Sequence, residues 1–184
     1  MVSAKKKRYL IIGGVAGGAS VAARLRRLDE QAEITMLERG RDVSFSNCAL
    51  PYFLGDEIES SETLMLVDPQ TFWDRYRIRA LTRTEALRIN RESRTVLARS
   101  LESSTETEMP YDILFLSPGA SAIMPDSIPG IRLPQVFSVR NVEDVEKINR
   151  FLKPGRSGRS RSSAGASLAW RSWKTWSRPD TPSA

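Results

Sequence analysis

The chain has no histidine and a single cysteine, Cys48, among its 184 residues. Without histidine there is no His-dependent triad and no imidazole metal ligand. One cysteine excludes an internal disulfide framework and a cysteine-based zinc site, so no metal centre is expected. A reducing, cytoplasmic compartment follows as the natural expectation. No stretch reaches the roughly eighteen consecutive apolar residues of a membrane span, so no membrane partner is expected. The basic start, Lys5-Lys6-Lys7-Arg8, resembles a signal n-region, but only Tyr9 to Ile12 follow before glycines begin, too few for an h-region. An apolar fraction of 40% with 27% charged residues suits a soluble globular chain of one domain or slightly more.

The net charge of +6 is uneven. Acidic and basic residues nearly balance through Pro154. Beyond it, Arg156, Arg159, Arg161, Arg171, Lys174 and Arg178 face only Asp180. A case for nucleic-acid binding from overall charge would therefore concern the tail alone, and no nucleic-acid partner is expected. Residues 155–184 lack any helix or strand period able to bury a core, which predicts a disordered basic tail.

Residues 8–13 read as a short buried strand running into glycines. Residues 17–28 read as a helix with Ala19, Val21, Ala22, Leu25 and Leu28 on its apolar face. Residues 33–38 read as a second strand. Strand, glycine turn, helix and strand in this order make a βαβ unit. Further on, a short helix is expected near Asn47. Asp68-Pro69 should start a helix over about 69–77, with Phe72, Trp73 and Tyr76 as buried candidates. Residues 79–100 read as a strand pair and 103–108 as a hairpin loop. Tyr111 to Leu116 read as an apolar strand ending at Ser117-Pro118-Gly119, and Asn141 starts a helix to about Leu152. The expected fold is α/β, a doubly wound Rossmann-like half-domain over residues 1–154 with a small antiparallel β insertion.

Two stretches carry chemistry. Gly13-Gly14-Val15-Ala16-Gly17-Gly18 stands where a dinucleotide-binding turn should stand. Such a turn needs glycine to bend tightly and to bring bare backbone to a pyrophosphate at a helix N-terminus. Val15 replaces the middle glycine of G-x-G-x-x-G. Glu38, at the end of the second strand, is placed to accept from ribose hydroxyls. The alternative is a tight turn in some other α/β protein. The second stretch surrounds Cys48. A lone cysteine is commonly a buried structural residue. Polar neighbours and an adjacent helix start point instead to a thiol with a lowered pKa.

Ser44-Phe45-Ser46-Asn47-Cys48-Ala49-Leu50-Pro51-Tyr52 resembles the active-site segment of coenzyme A-disulfide reductases, the single-cysteine branch of the flavin-dependent pyridine nucleotide-disulfide oxidoreductases. Ile11 to Ser20 resembles that branch's flavin turn, Val15 included, and Tyr111 to Ser121 its second flavin-contacting segment. The resemblance runs from about Tyr9 to Leu152. It implies FAD held by Gly13, Gly14, Val15, Ala16, Gly17, Gly18, Glu38, Arg39, Ser117, Pro118 and Gly119. Cys48 would be the redox nucleophile. Ser44 and Asn47 would contact the pantetheine arm, and Ser20, Arg24 and Arg27 the coenzyme A body. The implied reaction is reduction of coenzyme A disulfide by NAD(P)H in a homodimer. NADH oxidases, NADH peroxidases and coenzyme A-dependent persulfide reductases share the segment, and a non-catalytic FAD- or nucleotide-binding module is the other class.

That family's chains are more than twice this length, so the sequence reads as an N-terminal part, expected to be inactive alone and to lack the NAD(P) site and the dimer interface. The tail suggests a frame shift just after Gly158. Read from the third base of each codon, Trp173-Lys174 must give Glu, because TGG followed by AAR contains GAA. A strand and a second G-x-G-x-x-G turn can be recovered upstream of it. DNA sequence beyond the Gly158 codon tests this, with a continuing downstream frame as the expected result.

Overall fold

The computed structural model describes residues 6–152. The boundary expected at Pro154 and the whole basic tail lie outside the described residues. The described residues divide into two units, 6–45 with 65–120, and 46–64 with 121–152.

In the first unit, β1 (Arg8–Ile12) and β2 (Glu33–Leu37) flank α1 (Ala16–Leu28), which gives the expected βαβ unit within a residue of its expected bounds. After α2 (Leu50–Leu54), which belongs to the second unit, come α3 (Pro69–Tyr76), β3 (Ile78–Leu81), β4 (Thr84–Asn90), β5 (Thr95–Ser100), β6 (Glu106–Pro110) and β7 (Ile113–Leu116). A four-stranded parallel sheet runs in the order β3-β2-β1-β7, and β4-β5-β6 form an antiparallel sheet. The fold is Rossmann-like α/β with a small antiparallel insertion.

Alternation along β1 and β2 explains the layering, because successive side chains of a strand point to opposite faces. Tyr9, Ile11, Ile34 and Met36 pack with Ala19 and Ala22 of α1 and Phe72 of α3. Leu10 and Leu37 pack on the other face with Val96, Ala98 and Tyr111. Both helices of this unit thus cover one face. Among the described residues the antiparallel sheet covers the opposite face, where a fully doubly wound fold would carry helices.

Several side chains depart from expectation. Leu28 ends α1 and is 66% exposed. Trp73 and Tyr76 lie largely outside the core, while Phe72 alone of the three is buried. Trp73 instead stacks under the Arg77 guanidinium, 5.5 Å from the ring centroid. Residues 103–108 are only partly a loop, since Glu106 begins β6. That strand is polar on both faces apart from half-buried Met109, so it carries no alternation signal, and its glutamates and Pro110 suit a sheet edge. The strand pair expected over 79–100 is three strands, because β3 joins the parallel sheet.

Arg26 lies in the last turn of α1. Its guanidinium donates from Nε to the Tyr76 carbonyl at 2.7 Å, from Nη1 to Asp29 and Glu30, and from Nη2 to Ala32 and Arg77. These five bonds use every donor that arginine has. They tie the C-termini of α1 and α3 to the turn before β2.

In the second unit, a 3-10 turn over Asn47–Ala49 leads into α2 (Leu50–Leu54), and α4 (Val142–Leu152) packs beside it. Leu50, Phe53, Leu64, Val142 and Val145 are buried. Asn141 caps α4 as expected, its Oδ1 accepting from the Asp144 N–H at 2.8 Å. Phe137 meets Phe151 edge to face at 5.2 Å. Among the described residues, no helix is long and apolar enough to cross a membrane.

Arg26→Ala should lower stability by about 1.5–3 kcal/mol, the range for hydrogen bonds to a charged group, read by urea unfolding. Arg26→Lys should recover only part, because its three donors cannot span five carbonyls. Asp68 caps α3 through the Thr71 N–H at 2.6 Å. That bond holds its carboxyl below the ordinary value of 3.8. A lowered folded pKa adds stability that is present above the unfolded value and is lost as pH falls through the folded one. Asp68→Asn should therefore flatten the stability-versus-pH curve below about pH 4.

Candidate functional site

The glycine turn begins where β1 ends. Gly13 takes φ +96°, a left-handed conformation that favours glycine. Its N–H donates to the Leu37 carbonyl at 2.8 Å, so the turn closes on the end of β2. A Cβ at Gly13 would collide with the Ser117 carbonyl oxygen, and one at Gly18 with the Gly13 carbonyl oxygen. Both collisions are with backbone, which cannot rotate away. Val15, the residue before α1, stands at φ −91° and ψ −128°, so the fingerprint's middle position does not take the positive φ found at Gly13.

α1 starts at Ala16 with no side-chain cap and no acidic residue in its first turn. Ala16 and Gly17 are exposed. A helix start without a cap presents backbone N–H groups and a positive dipole end, which fits a pyrophosphate. Glu38 follows β2. Its Oε2 accepts from the Gly14 N–H and its Oε1 from the Gly40 N–H, both at 2.7 Å. A carboxylate has about four acceptor positions, so two remain for hydroxyl donors. The bare backbone, the open helix start and the acceptor at the end of β2 together fit an adenine dinucleotide.

Ser117, whose N–H donates to the Ile12 carbonyl at 2.7 Å, stands over the turn. Its side chain faces Gly17, where a Cβ would lie 3.3 Å from Ser117 Oγ. Pro118 and Gly119 follow as exposed backbone. Arg39 is exposed and pairs with Glu85 at 3.6 Å. Ser20, Arg24 and Arg27 are all exposed. Their spacing puts them on one face of α1.

The structure thus gathers Gly13, Gly14, Gly17, Gly18, Glu38 and Ser117 in the first unit. Ser44 belongs there too. It is buried, and its N–H donates to the Gly14 carbonyl at 3.0 Å.

Asn47 and Cys48 belong to the second unit. Cys48 is exposed, which removes the buried structural reading. The expected dipole from an adjacent helix is weak here. Cys48 lies within a three-residue 3-10 turn, and α2 beyond it has only five residues. The nearest polar group is the Ser46 hydroxyl, 3.6 Å from Sγ. Ser46 also donates its N–H to the Leu64 carbonyl at 2.9 Å and accepts from the Ala49 N–H, which anchors the turn. Ser46 stands inside the resembling segment, yet only its contact with sulfur marks it for a role.

The sequence pattern of the pyridine nucleotide-disulphide oxidoreductases matches residues 7–166. The chain belongs to this family. It is similar to the coenzyme A disulfide reductase of Staphylococcus epidermidis, 41% identical over 136 residues. That match covers 74% of this chain and 30% of the relative, so the chain spans under a third of the curated relative's length. Among solved structures, reduced CoADR-RHD of Bacillus anthracis superposes with a TM-score of 0.78 at 39% identity. It covers 82% of this chain and 27% of that one. A NAD-dependent persulfide reductase from A. fulgidus superposes at 0.76 with 33% identity, covering 80% and 28%.

Gly18→Ala should destabilise the chain by about 1–3 kcal/mol or more, as overpacking against rigid backbone does. Gly17→Ala, at an exposed helical position, should cost far less or nothing. Thermal unfolding of the two variants checks the contrast.

Proposed function

We propose that residues 1–154 form the N-terminal FAD-binding portion of a coenzyme A-disulfide reductase, with Cys48 as its redox nucleophile. The observation that carries this reading is an exposed lone thiol in a chain 41% identical, over 136 residues, to a coenzyme A disulfide reductase.

The glycine turn and the α1 N-terminus would receive the FAD pyrophosphate, and Glu38 its adenosine ribose. Arg39 and the Ser117-Pro118-Gly119 backbone would add contacts. Bound flavin would supply an electron pair, received as hydride from NAD(P)H. The Cys48 thiolate attacks one sulfur of coenzyme A disulfide. A Cys48–coenzyme A mixed disulfide forms, and the first coenzyme A thiolate leaves. Cys48 sulfur then accepts the electron pair as that mixed disulfide is cleaved. The second coenzyme A thiolate departs and the Cys48 thiolate returns. Ser46 Oγ can donate to that thiolate. Asn47 would meet the pantetheine arm. Ser20, Arg24 and Arg27 would hold the coenzyme A body, the arginines pairing with its phosphates. Likeness to the persulfide reductase supports a second reading, in which the same thiol attacks coenzyme A persulfide. A homodimer is the expected assembly of the full-length protein.

Two measurements test this. The purified chain should hold FAD with its visible absorbance bands, and Glu38→Ala should weaken binding about tenfold or more, as loss of a charge-assisted hydrogen bond does. The chain should also take up one coenzyme A from coenzyme A disulfide, read by mass. Arg24→Ala with Arg27→Ala should slow that uptake while leaving reaction with the uncharged hydroxyethyl disulfide unchanged. Equal slowing of both would remove the coenzyme A assignment. Faster reaction with coenzyme A persulfide would favour the second reading.

A further inference from the structure

Six residues other than glycine adopt positive φ among the described residues: Ser44, Asp56, Arg77, Arg83, Arg94 and Ser104. Five are exposed and stand at turns or helix ends, where left-handed backbone is common. Ser44 alone is buried, at 9% exposure, and ends no helix or strand. A residue with a Cβ gives up about 1–2 kcal/mol in this conformation. Such strain persists only where the surroundings hold it, and it gathers at functional positions.

The surroundings at Ser44 are specific. Its N–H donates to the Gly14 carbonyl at 3.0 Å, and its carbonyl accepts from the Leu66 N–H at 2.9 Å. Next to it, Phe45 forms an antiparallel bridge with Met65. On its other side, Gly14 donates its N–H to Glu38 Oε2 at 2.7 Å. Gly14 is thus gripped through both its N–H and its carbonyl, by Glu38 and by Ser44. It sits inside the turn whose backbone would meet the pyrophosphate.

We propose that Ser44 is a positioning residue that acts through its backbone: its left-handed conformation lets it close on Gly14 and accept from Leu66, and so holds the dinucleotide turn in its binding shape before any ligand arrives. This rests on the FAD reading above. It gives Ser44 a role separate from the pantetheine contact that the resemblance implies, for which a buried side chain offers little surface. Pre-forming a turn raises affinity because less freedom is lost on binding.

The test separates backbone from side chain. FAD affinity of the full chain is measured by fluorescence titration for wild type, Ser44→Gly, Ser44→Ala and Ser44→Val. Glycine favours positive φ, alanine bears the same Cβ as serine, and a β-branched residue tolerates this conformation least. Ser44→Gly should bind at least as tightly as wild type, Ser44→Ala about as tightly, and Ser44→Val more than tenfold more weakly. Amide exchange at position 44 should stay slow in Ser44→Gly and Ser44→Ala, a readout that does not need Ser44→Val to fold. Equal weakening by glycine and alanine, which both lack the hydroxyl, would overturn the proposal, since the side chain would then carry the role. So would equal affinity in all four chains. If wild type binds no FAD, the functional reading fails. Amide exchange then still decides whether Ser44 holds the turn through its backbone.

Discussion

The close approach of two backbone segments governs the first unit. Gly18 of α1 lies against the Gly13 carbonyl with no room for a single carbon between them. That contact sets how near α1 lies to β1, and Ala19 and Ala22 continue the same small-residue face onto the sheet. The strand can be lined with bulky Tyr9 and Ile11 because the helix opposite is lined with small residues. A helix packed this closely starts beside the end of β1, so its free N–H groups fall where the turn leaves the sheet. Packing and anion binding are two results of one constraint.

Features that follow a period were legible in the sequence. The short apolar run of β1, the apolar face of α1 and the strand after it placed the βαβ unit to within a residue. Helix starts with a side-chain cap were equally clear, as at Asp68 and Asn141. β6 was hidden because an edge strand polar on both faces carries no alternation. Trp73 was misplaced because its ring stacks under Arg77, a pairing across a helix end that no periodicity encodes.

The site divides along a similar line. Residue types needed for steric reasons, such as Gly13 and Gly18, could be read directly, and Glu38 could be read from its spacing. Arg26 could not, although it makes more hydrogen bonds than the arginines around it that were singled out. Its partners are main-chain carbonyls at Asp29, Glu30, Ala32, Tyr76 and Arg77. A carbonyl has no residue identity, so nothing in the sequence marks it as a partner. Ser44 was hidden for the same reason. Its side chain drew attention through the motif, while its backbone makes the bonds to Gly14 and Leu66.

This explains which departures from a fingerprint matter. The middle glycine of G-x-G-x-x-G is absent here, yet Val15 has a negative φ of −91°, outside the left-handed region that favours glycine. Gly13 combines positive φ with a blocked Cβ, and Gly18 has a carbonyl oxygen where its Cβ would be. Counting matches to the pattern weights all three positions equally. Backbone geometry weights them by what each must avoid, and by that measure the turn is intact. The same measure sets Ser44 beside the glycines: a position whose backbone needs what glycine offers, occupied by a residue that is held there by its bonds.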